Sequence, residues 1–508
     1  MDKQMFVRIL NSEMELATGC TEPGAVALTA AEAGAALRKA GGTRVEAVTV
    51  RASINIIKNA MSAGIPGTSY QGMDYAAAIG AVGGDPVHLL EVMNYVPREQ
   101  MEEAAALVKA GKVKVEVAQV PQKLYVEVLV TSDGHTGRAV VRDLHTNVVL
   151  VEQDGVATLD KRDTDTTAAG DSDVVSPEQI ASFLTVRSIW DYCTKELDPM
   201  NDPIDIIRSA VKVNSVISDE GLSKEYGLAI GRNLDLNCRK GLMTRDLTTN
   251  SMIAAAAGAD ARMAGAPVSV VANSGSGNQG ITCSVPLIEY AKELHSGKEK
   301  LYRALIISNL VAIHEKTGIG TLSAYCGAVS AGAGAGAGIV YLCGDGYQAA
   351  IHTVVNALAI VSGIVCDGAK ASCAAKIASS VDAALLGYNM YKCNQEFKGG
   401  DGIVMKDIET TIKGIGRLGK DGMRQTNEEI IRLAQQTAQA ETCYPVKLLH
   451  GHMAWLAEQG VDYIFMPSVH TMKHESSHVE HNYGCVYMQT APRLAANALD
   501  LELSLIHI

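Results

Sequence analysis

The chain has 508 residues, a formal net charge of −12 and 47% hydrophobic residues. That length supports a large core and two or three domains, and the negative balance, with scattered basic residues and 5% aromatics, argues against a nucleic-acid or anionic-membrane surface. Eleven cysteines, an odd number without small-scaffold spacing, indicate a reducing cytoplasm rather than a disulfide framework, and the acidic, amphipathic N-terminus lacks the apolar region of a signal peptide.

Residues 4–17 carry Met5, Phe6, Ile9, Leu10, Met14 and Leu16 at helical spacing. Gly19-Cys20-Thr21-Glu22-Pro23 follows, and then helix-forming Ala25 to Ala40. Proline suits a first helical turn, so Cys20 falls just ahead of a helix N-terminus, where the dipole favours a thiolate able to accept a proton. A buried cysteine beside a capping Thr or Glu fits the same residues equally. Thr43 to Arg51 alternates as a strand. In Ser53-Ile54-Asn55-Ile56-Ile57-Lys58-Asn59-Ala60 a helix puts Asn55, Lys58 and Asn59 on one face, suited to a carboxylate and an amino group or to plain solvation. Gly64-Ile65-Pro66-Gly67-Thr68 makes a turn. Strand patterns then run at 114–120, 124–131, 136–142 and 147–153, an expected antiparallel meander with helices on one face. Residues 154–176 are polar and read as a linker.

From Ser176-Pro177-Glu178 to about residue 436 the pattern is almost wholly helical. The expected fold class is therefore α+β, an N-terminal mixed region over 1–175 followed by a large all-α domain over 176–436. Between two helices lies Ser274-Gly275-Ser276-Gly277-Asn278-Gln279-Gly280. Its glycines let backbone N–H groups turn inward toward an anion such as a substrate carboxylate, although an ordinary interhelical turn has the same composition. His314 and Lys316 are candidate acid/base or carboxylate contacts.

The stretch from Leu322 to Lys376 organises the rest. It holds Cys326-Gly327-Ala328-Val329-Ser330, an Ala/Gly tract, and Cys366-Asp367-Gly368-Ala369-Lys370-Ala371-Ser372-Cys373. Leu322 to Cys343 is uncharged and long enough to span a bilayer, but its Ala/Gly content reads as a buried, tightly packed helix. Seven helical residues would separate Cys366 and Cys373 by roughly 10 Å. Cys366 is therefore expected on a loop bent at Gly368, with Cys373 in the next helix's first turns. Three thiols among small residues suit an iron-sulfur group with one iron left open; zinc, or three inert buried thiols, fit the spacing too.

These motifs together resemble the L-cysteine desulfidases, relatives of the iron-sulfur L-serine dehydratases, in order and over about residues 1–436. The resemblance implies a [4Fe-4S] cluster on Cys326, Cys366 and Cys373, a catalytic Cys20 off the cluster, and removal of sulfide from the small-molecule substrate L-cysteine. L-Serine ammonia-lyase chemistry is the nearest rival, and a non-catalytic iron-sulfur or zinc sensor the next. A homodimer is compatible with the sequence but not fixed by it.

The tail differs. His470, His474 and His478 recur every four residues, a metal-ligand spacing only if that segment is helical. Residues 440–508 resemble a fragment of 2-hydroxyacyl-CoA dehydratase activator proteins. With its apolar, uncapped ending, 437–508 reads as an appended fragment after an artificial or truncated join.

Overall fold

In a computed structural model, residues 2–162, 175–320 and 322–437 are described. Met1–Asn427 form one compact unit; Glu428–Ile508 form a second, described to residue 437. The tail histidines and the strand-like pattern at 461–467 lie outside the described residues.

The N-terminal region contains α1 (Lys3–Glu13), β1 (Met14–Thr18), α2 (Thr21–Ala40), β2 (Ala47–Ala52), α3 (Ile54–Ala60), α4 (Met73–Gly83) and α5 (Arg98–Lys109). Strands β3 (Val113–Val117), β4 (Tyr125–Ser132), β5 (His135–Arg142), β6 (Val148–Gln153) and β7 (Val156–Asp160) follow. The sheet order is β3-β2-β4-β5-β6-β7. Strands β4 to β7 form the expected antiparallel meander. β2 adds antiparallel to β4 but parallel to β3, because three helices intervene before β3 and such a crossover returns the chain in the same direction. Alternate residues Val48, Val50, Val126, Val128, Val130 and Val141 are buried with the small residues of α2 and α4 in one core.

Two expectations are corrected here. Residues 154–160 are not linker: Asp154 and Gly155, at φ 51 and 78, make a tight hairpin turn that returns the chain as β7. The first helix stops at Glu13, because Met14–Thr18 pairs antiparallel with β8 (Ser269–Asn273), a partner far off in sequence.

The second half is helical as expected: α6 (Pro177–Phe183), α7 (Val186–Asp191), α8 (Asp205–Ser223), α9 (Ile230–Arg239), α10 (Leu247–Met263), α11 (Gly277–Glu293), α12 (Lys298–Ile319), α13 (Gly327–Leu342), α14 (Tyr347–Val361), α15 (Ser372–Lys392), α16 (Ile408–Arg417) and α17 (Arg424–Thr437). The α+β class holds. Helix α13 is the Ala/Gly tract, and it is buried along nearly its whole length. A Cβ at Gly332 would lie 2.7 Å from the Ser380 carbonyl oxygen, and one at Gly338 2.7 Å from that of Ala304. The tract is thus what lets α12 and α15 close on α13 backbone to backbone. Among the described residues no helix is long and apolar enough to cross a membrane.

Buried Asp260 on α10 accepts the Gly231 N–H at 2.9 Å, at the start of α9. Burial raises its pKa to about 6, against the N–H groups of Gly231 and Ile230, which lower it. The fold therefore favours the protonated acid, so this contribution is complete below the unfolded value of 3.8 and is lost as pH rises through about 6. Asp260→Asn is expected to flatten this part of the curve of urea-unfolding midpoint against pH between about 4 and 7; an unchanged slope contradicts the assignment.

Candidate active site

One cavity, of about 110 Å³, gathers most of the residues singled out from sequence. It is well below the roughly 300–1,000 Å³ of drug-sized sites, so its occupants are small. Four helix N-termini open onto it: α2 at Cys20, α11 at Ser276, α13 at Cys326 and α15 at Cys373. None of the four has a side-chain cap, which leaves their terminal N–H groups for other acceptors.

The three cysteines meet here. Tyr325 and Val365 form an antiparallel bridge, with Cys326 N–H donating to Ile364 O at 3.1 Å and Cys366 N–H to Ala324 O at 2.7 Å. That pairing sets Cys326 and Cys366 side by side, although forty residues of helix separate them. Cys366 is on the loop and Cys373 in the first turn of α15, as expected. Gly368, at φ 101, makes the bend, where a Cβ would lie 2.8 Å from the Lys58 carbonyl oxygen. The backbone at Ala328, Gly368 and Lys370 favours the thiolate forms of Cys326, Cys366 and Cys373 respectively, and the Cys373 thiol donates to Gly368 O at 3.7 Å. The Cys366 thiol is lowered to about 6, first by the hydrogen bond from Cys326, then by the Gly368 N–H and the charges of Lys58 and Lys316, against burial. Cys326, as donor in that pair, is pushed up.

A mononuclear tetrahedral ion would draw its ligands into one shell. Among the described residues no three His, Cys, Asp or Glu side chains form such a set. Three cysteines lining one cavity among small residues instead suit a polynuclear iron-sulfur cluster, whose thiolate ligands bind different irons.

Cys20, in one apolar cluster with Ala369 and Cys373, stands at the start of α2, buried, and its thiol donates to Glu22 Oε2 at 3.1 Å. The expectation of a thiolate at this helix end is not met: burial, then the Glu22 charge, hold the thiol well above its ordinary value, against the opposing charge of Arg262. Glu22 also accepts from Asn59 Nδ2 at 2.8 Å and Thr21 Oγ1 at 3.1 Å. Burial opposes its ionisation, but His145 and the bonds from Asn59 and Cys20 hold it below the usual range. His145 itself is driven down by burial and then Arg262, against the charge of Glu22, which raises it.

Ser274, Gly275, Ser276, Asn278 and Gln279 all line the cavity. Helix α11 begins at Gly277. Ser274 and Gly275 take positive φ of 47 and 74, turning the loop under His145. A Cβ at Gly275 would lie 2.9 Å from His145 Cε1, and one at Gly277 would fall inside the Arg262 guanidinium. Of the α3 face only Asn59 reaches the cavity. Asn55 and Lys58 do not; both are buried and joined through Asn427, which accepts from Lys58 Nζ at 2.9 Å and donates to Asn55 Oδ1 at 3.0 Å. Lys316 lines the wall, whereas His314 is bound to Glu409 at 2.7 Å.

His145 and Arg262 escape sequence reasoning. His145 stands in a β5–β6 turn that looks like any surface loop. Arg262 did leave a signal, a charge near the end of an Ala-rich helix buried almost all round. Several buried polar atoms on this wall have no partner among the described residues, including Asn59 Oδ1, His145 Nε2, Asn278 Oδ1, Gln279 Oε1 and Tyr325 Oη. Native interiors rarely leave such groups bare unless a ligand or water meets them.

Residues 88–432 match the family model described as serine dehydratase alpha chain, and residues 423–507 match one described as a CoA enzyme activase uncharacterised domain. A UPF0597 protein of Oleidesulfovibrio alaskensis is 42% identical over 426 residues, which is 84% of this chain and 96% of the relative. That of Desulfitobacterium hafniense is 43% identical over 435 residues, 85% and 96%, and that of Treponema denticola 41% over 433 residues, 85% and 97%.

Asn427→Ala, which leaves buried Lys58 without its hydrogen-bond acceptor, is expected to lower stability by about 1–3 kcal/mol in chemical denaturation. Wild-type stability in that variant would contradict the bridge.

Proposed function

The chain belongs to the serine dehydratase alpha chain family, and we propose that it is a [4Fe-4S]-dependent β-eliminating lyase converting L-cysteine to pyruvate, ammonia and sulfide. The observation that carries this reading is the meeting of three cysteine sulfurs, a cysteine–carboxylate pair and unpartnered polar atoms around one small cavity. Cys326, Cys366 and Cys373 would hold the cluster, which when bound supplies an open iron that polarises the β-substituent as a Lewis acid.

The protein's own residues do the rest. Asn59, Ser274, Asn278 and Gln279, whose buried oxygens have no partner among the described residues, orient the amino acid in the cavity. In the resting site the proton sits on Cys20 Sγ; its transfer to Glu22 Oε2, 3.1 Å away, leaves a thiolate to take the substrate α-proton. The Cα–H electron pair becomes the Cα=Cβ bond, the Cβ–S bond breaks, and sulfide leaves with that bond's pair. The product aminoacrylate adds water and loses ammonia to give pyruvate. Lys316, buried beside Cys326 and Cys366, supplies positive charge to the thiolate wall. Asn55 and Lys58 support that wall through Asn427. We place this chemistry in the cytoplasm and take L-cysteine as the preferred substrate.

The second reading, L-serine ammonia-lyase by the same route with hydroxide leaving, is favoured by the family model's description. Anaerobically purified protein incubated with each amino acid separates the two. L-Cysteine is expected to give sulfide and pyruvate in equal amounts, at least about tenfold faster than L-serine gives pyruvate. The reverse ranking selects the serine reading, and a brown protein with no turnover of either selects a sensor. Cys20→Ala should keep the colour and abolish turnover, whereas Cys366→Ala should lose both; turnover in Cys20→Ala would remove it as the base. Deleting residues 440–508 should leave the rate unchanged, and loss of activity would show that the tail contributes.

A further inference from the structure

Arg262 stands one residue before the end of α10. The turn Gly64-Ile65-Pro66-Gly67-Thr68 pins that end: Gly64 N–H donates to Met263 O at 3.3 Å and Gly67 N–H to Gly265 O at 3.0 Å. The Arg262 side chain lies against the backbone of Gly277, whose missing Cβ leaves it room, and enters the cavity near Cys20 and His145. It is 2% exposed. Its Nε and Nη2 have no hydrogen-bond partner among the described residues. A buried guanidinium with two open donors is strongly unfavourable unless an anion completes it. The two open donors, Nε and Nη2, lie on one edge of the planar fork, the edge that takes both oxygens of a carboxylate.

Resting on the amino-acid lyase reading above, we propose that Arg262 is the receptor for the substrate α-carboxylate, binding it through Nε and Nη2. The site then sorts its positive charge by role. Lys316 and Lys58 act on Cys366, and Arg262 acts on Cys20, the residue that takes the α-proton. A carboxylate held there places the adjacent Cα–H beside Cys20. It also makes the cavity selective for α-amino acids over thiols and amines that lack a carboxylate.

The test uses anaerobically purified full-length holoenzyme and two fragments of the substrate, 3-mercaptopropionate, which has thiol and carboxylate, and cysteamine, which has thiol and amine. Binding of each is measured by calorimetry to wild type, Arg262→Gln and Arg262→Lys, with iron content and circular dichroism confirming that each variant is folded and loaded. Arg262→Gln is expected to weaken 3-mercaptopropionate at least about tenfold and cysteamine by less than about twofold, with Arg262→Lys between wild type and Gln for the former. Failure of wild type to bind 3-mercaptopropionate, unchanged affinity in Arg262→Gln, or equal weakening of both fragments would overturn the assignment. Because binding is read without turnover, a wild type that does not eliminate sulfide from cysteine would sink the lyase reading and leave the receptor result standing.

Discussion

Four helices aim their uncapped N-termini at one small cavity, and the rest of the structure serves that arrangement. Each contributes terminal N–H groups and the positive end of a macrodipole, equivalent to roughly half an elementary charge. Lys316 and Arg262 bring basic side chains into the walls, Lys316 against a burial that lowers its pKa. So much positive potential in a buried place is tolerable only where anions answer it. Glu22 supplies one negative charge and the Cys366 thiolate another. The remaining demand is for anions the chain does not itself contain, which a thiolate-bound cluster and a substrate carboxylate would meet.

Bringing four helix ends together requires helices that pack unusually close, and that requirement reaches into the composition. The glycines of α13 allow α12 and α15 to approach backbone to backbone, and the glycines of the 274–280 loop make space for His145 and Arg262. The short antiparallel pairing of Tyr325 with Val365 is the device that aligns two of the three sulfurs across the long excursion between them. The mixed sheet acts from outside. Its β5–β6 turn delivers His145 to the cavity, and the turn after α3 clamps the end of α10. The two halves of the compact unit thus share one site.

Much of this was legible in the sequence where local chemistry decides. Pro23 and the alanines after it announce the helix behind Cys20, and the separation of Cys366 from Cys373 across Gly368 requires a loop followed by a helix start. The Ala/Gly tract reads as a tightly packed helix because nothing else explains so little bulk. What stayed hidden depends on distant partners. Met14–Thr18 looks helical until β8 offers it a strand, and residues 154–160 look like linker until the Asp154-Gly155 turn is counted. The polar face of α3 was visible, but its division between Asn59 at the cavity and Asn55 and Lys58 behind it is made by Asn427, more than three hundred and sixty residues on. The thiolate expected at Cys20 considered the helix end alone and omitted burial and Glu22.

Mössbauer spectroscopy of ⁵⁷Fe-loaded protein, before and after anaerobic addition of L-cysteine, tests whether Cys326, Cys366 and Cys373 hold a cluster with one iron open to substrate. About one quarter of the iron signal should change its parameters while the rest stays fixed, the mark of one unique iron in a four-iron cluster. Iron whose spectrum is indifferent to L-cysteine, or a folded protein that takes up no cluster iron, would contradict it.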